Sequence, residues 1–224
     1  MNDYFVRQSD LIGKDCQKKI SKSAILVAGL GGLGGFVAEL LIRAGIGKIH
    51  IIDDGIIDEP DLNRQILYTA GDLGKKKIDI GLQRLKSIGL STEVIPIYGK
   101  IDESFKLPDD INGIIDCLDN FKGRYILDEL SHKKKIFLIH GAINSWFGQI
   151  SSIVPGKTKT LKEIFPDIKD SSSIIPVIGF TPAIIASLQV SEAVKLICGI
   201  KDNLMNKILF MDLKNYSIEI IKLS

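Results

Sequence analysis

The run Ser23-Ala24-Ile25-Leu26-Val27-Ala28 is apolar almost without interruption and ends in a cluster of glycines. A short stretch of that kind reads as a strand buried on both faces, the environment of a parallel sheet. Phe36 to Ala44 then places apolar residues at helical spacing, and Lys48 to Asp53 reads as a second strand. Lys76 to Ile88 predicts a helix, Glu93 to Tyr98 and Gly113 to Cys117 predict strands, Arg124 to Ser131 a helix, and Ile136 to His140 a fifth strand. Strands alternating with helices imply a parallel sheet with right-handed crossovers. After Trp146 the rhythm changes. Phe147 to Val154 is a strand with no helix directly behind it, and Pro155 to Pro176 is mixed and polar. Pro182 to Ile197 predicts a strong helix, with Pro182 in its first turn and Gly199 past its end. Lys207 to Met211 and Ser217 to Lys222 predict a closing hairpin. The expectation is one α/β domain over residues 1–224, mostly parallel, with helices on both faces and a C-terminal antiparallel extension. Residues 1–22 form an N-terminal helical arm, and 155–176 form a mobile crossover loop.

Composition changes this picture little. At 224 residues the chain buries enough surface for a core without staples. Its 29 Lys and Arg against 27 Asp and Glu leave a net charge of +2, which gives no electrostatic reason to expect nucleic acid or a membrane surface. Cys16, Cys117 and Cys198 are far apart and form no C-x-x-C pair. Neither a thiolate zinc site nor a disulfide framework is suggested, and a reducing compartment is the default. The N-terminus lacks a basic segment followed by an apolar run, and no apolar stretch reaches the ~20 residues of a membrane span. A cytoplasmic location is expected.

Chemistry enters at Gly29-Leu30-Gly31-Gly32-Leu33-Gly34-Gly35, between the first strand and a helix. Glycines permit the tight turn and let backbone N–H groups approach a phosphate, while the helix N-terminus adds partial positive charge. Asp53 closes the second strand, where a carboxylate accepts hydrogen bonds from ribose hydroxyls. The order of strand, turn, helix, strand and terminal Asp predicts a Rossmann-like nucleotide site. Gly29, Gly31 and Gly34 also satisfy G-x-G-x-x-G, so a nicotinamide oxidoreductase competes at this point. The bland alternative is glycines that serve only helix–strand packing.

Further motifs follow: Leu62-Asn63-Arg64-Gln65, Gly74-Lys75-Lys76-Lys77 and Asp116-Cys117-Leu118-Asp119-Asn120. Val6-Arg7-Gln8, His140-Gly141-Ala142, Gly148-Gln149-Ile150, Ala186-Ser187-Leu188-Gln189 and Glu192-Ala193-Val194-Lys195 extend them. Together they resemble the adenylation domain of the ThiF/MoeB/HesA family, bacterial relatives of ubiquitin-activating enzymes, over nearly the whole chain. The resemblance implies an ATP-dependent adenylyltransferase. Such enzymes activate the C-terminal carboxylate of a small ubiquitin-like or sulfur-carrier protein, usually ending in Gly-Gly, as an acyl-adenylate with release of pyrophosphate. A carboxylate attacking the α-phosphate is repelled by the ATP tetra-anion, so cations must neutralise the developing charge. By the resemblance, Arg64 and Lys77 are those cations, and Asp119 holds Mg2+. Asp53 binds ribose, and Gly29, Gly31, Gly32, Gly34, Asn63 and Gln65 complete the nucleotide site. Arg7 matches an arginine that reaches the triphosphate of the other subunit in a homodimer.

The chain also departs from that family. Many members bind zinc through two C-x-x-C pairs, but here Thr160-Leu161-Lys162-Glu163 stands at the first place and no second pair follows, so zinc is not expected. The loop before the late helix carries no cysteine for a covalent relay. Pro60-Asp61 stands where Ser-Asn is usual, placing an extra carboxylate near the phosphates. Plainer readings hold for other residues: His50 and Cys117 as buried core, His132 on an exposed turn, Trp146 and Phe147 as packing, and Asp116 as a helix cap. Lys75 to Lys77, taken alone, is a solvated charge run. Other uses of such a chain are adenylation of a peptide or another carboxylate in natural-product synthesis, and partner binding without catalysis.

Overall fold

The sheet grows outward from strand β1 (Ala24–Ala28), whose five residues are all buried. The computed structural model, which describes residues 3–166, 168, 170 and 176–223, pairs β1 in parallel with β2 (Lys48–Asp53) and with β4 (Gly113–Asp116). Strand β3 (Glu93–Tyr98) joins β2 and β5 (Phe137–Asn144) joins β4, both in parallel. Three antiparallel strands follow: β6 (Phe147–Ile153), β7 (Lys207–Asp212) and β8 (Ser217–Lys222). The order is β3-β2-β1-β4-β5-β6-β7-β8. The expected mixed sheet with a C-terminal antiparallel extension is what forms.

Alternation along β1 divides the core in two, because successive side chains of a strand face opposite ways. Ile25 and Val27 join a cluster with helices α2 (Lys14–Ile20), α3 (Gly32–Arg43), α4 (Lys77–Ser87) and α7 (Phe180–Cys198). Leu26 and Ala28 join the other cluster, which Leu127 of α5 (Phe121–Lys134) and Ile164 of the short α6 (Leu161–Ile164) cover. Helix α1 (Val6–Ile12) precedes α2 and completes the arm. His50 is buried and satisfied, with Nε2 2.9 Å from Asp110 Oδ1.

Two expectations are corrected. Cys16 and Cys198 form a disulfide with Cα atoms 5.1 Å apart, across a sequence separation of 182, which spacing alone does not reveal. Helix α7, at 19 residues, is long and apolar enough to cross a membrane. It packs instead against α2, α3, β5 and β6 and buries Gln189 and Glu192. The stretch 155–176 is not uniformly irregular, since Thr160 caps α6 in a reciprocal box with Glu163. The rest of the mobility expectation bears in part on residues 167, 169 and 171–175, which lie outside the described residues.

Candidate active site

Strands β1 and β4 lie side by side, yet the chain leaves them towards opposite faces, α3 on one and α5 on the other. A crevice opens at the carboxyl ends of such a pair, and ligands of open α/β sheets bind there. Gly29 N donates to Ile52 O (2.9 Å) and Cys117 N to Ala28 O (3.0 Å), so the first turn is pinned between its neighbours. Gly29 has φ +95°, and a Cβ there would lie 2.9 Å from Cys117 O. At Gly34 a Cβ would fall 1.8 Å from Gly29 O, so no side chain is possible without moving backbone. Helix α3 starts at Gly32 with no side-chain cap, leaving its first N–H groups to serve an anion. Around this turn, Gln65 Nε2 is 3.8 Å from where a Gly31 Cβ would be, and Arg64 Cγ 3.5 Å from the same point at Gly32.

Asp53 closes β2 with Oδ2 accepting from Leu30 N and Oδ1 from Gly55 N, each at 2.7 Å. Both oxygens keep lone pairs for a diol. Lys77 opens α4, and its Nζ lies 2.9 Å from Asp61 Oδ2. Arg64 NH1 donates to Pro60 O (2.6 Å) and Asn63 Oδ1 (2.9 Å), while NH2 is 3.5 Å from Asp61 Oδ1. Asn63 in turn donates to Val177 O at 3.1 Å. Of the lysine run only Lys77 is withdrawn from solvent; Lys75 and Lys76 are exposed, Lys76 lying 4.2 Å over the Tyr98 ring and Lys75 reaching Asp72 at 3.2 Å.

Asp119 is exposed three residues beyond β4, with Oδ1 accepting only from Asn120 Nδ2 (3.1 Å) among the described residues. No group of three metal-ligating side chains occurs among them. A hard cation held by one free carboxylate, with phosphate oxygens and water as its other ligands, is how magnesium is usually bound, so this donor set suits it. Beneath Asp119 lies a polar network that motif reading missed. Asp116 is a ligand of that network, and Asn120, accepting from Gly123 N at 2.8 Å, is the cap of α5. Arg124 donates to Asp116 Oδ2 (3.1 Å), to Gly141 O (2.7 Å) and to Leu118 O. His140 Nδ1 is 2.9 Å from Asp116 Oδ2, and Gln189 donates to Asp116 O at 2.7 Å. Burial holds the His140 imidazole below its ordinary pKa of 6.5, against the pull of Asp116. No local pattern signals this network, because its members come from β4, α5, β5 and α7 and meet only in the fold.

The model of the ThiF family matches residues 5–224. The chain belongs to the ThiF family. Among its ThiF-type relatives, the SAMP-activating enzyme E1 of Haloferax volcanii is 26% identical over 95% of this chain and 81% of its own length. The sulfur carrier protein ThiS adenylyltransferase of Bacillus subtilis is 32% identical over 84% of this chain and 58% of its own. A crystal structure of E. coli MccB with ATP has the same fold, with a TM-score of 0.88 at 21% identity, covering all of this chain (100%) and 72% of that one.

One residue of the ThiF pattern stands apart from the cluster. Arg7, on α1, is exposed and has no side-chain partner among the described residues. Trp146 and Phe147 are 38% and 53% exposed, so the expectation of simple packing fails for Phe147, while Trp146 stacks 5.1 Å from the Phe180 ring.

Proposed function

We propose that the protein is an ATP-dependent adenylyltransferase acting on the C-terminal carboxylate of a small ubiquitin-like or sulfur-carrier protein ending in Gly-Gly. The observation that carries this reading is the convergence of Lys77 and Arg64 beside the uncapped N-terminus of α3 and the Asp53 carboxylate. Relatives named as adenylyltransferases and activating enzymes support it. A carboxylate oxygen of the carrier attacks the α-phosphorus, the bond to the β-phosphate oxygen breaks, and pyrophosphate leaves. The backbone of residues 29–34 cradles the phosphates, Asp53 holds the ribose, and Lys77 and Arg64 stabilise charge that builds on the transferring group. Magnesium, held by Asp119, would supply further charge neutralisation at the phosphate oxygens. The enzyme works as a homodimer, each subunit lending Arg7 to the other, and needs no zinc.

The test is ATP–pyrophosphate exchange with Gly-Gly-ended carrier proteins. Lys77→Ala and Asp119→Ala should each cut exchange by at least ~100-fold, the scale of removing one positioned charge stabiliser. Absence of exchange with every carrier, together with tight NADH binding, would replace this reading with an oxidoreductase.

A further inference from the structure

Asp61 is a buried carboxylate, 8% exposed, set between the two cations of the site. Its Oδ2 takes Lys77 Nζ at 2.9 Å, and its Oδ1 takes Gln65 Nε2 at 2.5 Å with Arg64 NH2 at 3.5 Å. Asp58 N donates to it as well, at 3.2 Å. The side chain of Lys77 is only 14% accessible, so its ammonium has little water to fall back on when Asp61 is taken away. An anion arriving at Lys77 and Arg64 therefore meets cations that already have a counter-ion, and must displace or share it. This is the position where the family resemblance expects a neutral asparagine.

On the basis of the adenylyltransferase reading, we infer that Asp61 is a specificity-determining residue, an internal anion that competes with phosphate groups for Lys77 and Arg64. It yields the cations when the triphosphate enters and recaptures them as pyrophosphate departs. Binding of polyphosphates is weakened in the ground state, and product release is quickened. Asp61 also closes the turn through Asp58, but that task needs an acceptor and no charge. Asparagine keeps the acceptor and removes the charge, which separates the two roles.

The experiment titrates inorganic pyrophosphate with Mg2+, and separately ATP with Mg2+, into the full chain, into Asp61→Asn and into Asp61→Ser, each checked for folding by thermal unfolding. A folded neutral variant should bind pyrophosphate about tenfold more tightly, the scale of one charge-assisted hydrogen bond relinquished by a competitor. It should also release pyrophosphate more slowly in exchange assays. A purely structural role predicts the opposite sign, weaker binding with a lower melting temperature. Equal or weaker binding by a folded neutral variant, with wild-type protein binding both probes, overturns this inference and leaves the adenylyltransferase reading standing. Wild-type protein that binds neither probe removes both. Should neither variant fold, Lys77→Met decides: a loss of pyrophosphate affinity under tenfold fits a lysine already neutralised, and a loss of tenfold or more overturns the inference.

Discussion

His140, Asp116 and Arg124 are all buried, and each leans on the other two. A buried imidazole without free water resists taking a proton, which is why its pKa lies below 6.5 despite the neighbouring carboxylate. The unfolded chain takes that proton near the ordinary value, so it binds more protons than the native state in acid. The stability from neutral His140 is complete above about pH 6.5 and declines as the pH falls below it, by up to ~1.4 kcal/mol per unit. Urea unfolding at pH 7.5 and pH 5.5 should show this loss, and His140→Asn should flatten it by up to that slope. An unchanged slope in the variant would exclude the imidazole as its source. Arg124 of this trio also holds the Leu118 carbonyl, one residue before Asp119, so a stability effect here carries over to the site.

At the scale of elements, the disulfide joins α2, in the arm, to the last residue of α7. A crosslink spanning a separation of 182 residues restricts the unfolded chain strongly, by up to about 5 kcal/mol in the chain-entropy account. Guanidinium unfolding with a reductant, or of Cys198→Ser, should show about 2 to 5 kcal/mol less stability. Curves that superimpose with and without reductant would mean that the thiols are unpaired. The bridge illustrates what the sequence does and does not disclose. Strands β1 and β4 were legible because both faces of a central parallel strand are covered and nearly every position is apolar, a local signal. So was the glycine turn, where the backbone of Gly29 and Gly34 leaves no room for a Cβ. Local pattern could not reveal that β5 runs on to Asn144, because its last residues leave the core beside β6, Ala142 and Ile143 half-buried and Asn144 exposed. Nor could it reveal Cys16 beside Cys198, the Asp61–Lys77 pair, or the Asp116–Arg124–His140 network. These are contacts between elements, set by tertiary packing, and residue types at a distance carry no trace of them.

For the molecule as a whole, Arg7 lies exposed on α1, in the arm rather than in the cluster of Lys77 and Arg64. In the proposed homodimer the two-fold axis makes two equivalent composite sites, each with one subunit's Lys77 and the other's Arg7. Arg7→Ala and Lys77→Ala chains should each be nearly inactive alone. Mixed and allowed to exchange, their heterodimers hold one doubly defective site and one intact site. Exchange activity in those heterodimers should climb towards half of wild type. No recovery despite proven subunit exchange would place Arg7 in its own subunit's chemistry, or outside the chemistry altogether.

The strand order also dictates a sequence of events as the protein is made. β1 emerges first of all the strands and takes the centre of the sheet, between partners that arrive at different times. β2 can pair with it early, and β3 with β2, but β4 lies far downstream: Ala24 N reaches its acceptor on Asn112 across 88 residues. Until those residues leave the ribosome, the nascent chain exposes one bare edge of a wholly apolar strand, a template for pairing with other chains. The crevice that runs along the seam of β1 and β4 has no walls before Asp116 has been synthesised. Nucleotide can thus assist folding only in the second half of synthesis, after the most adhesive stage has passed.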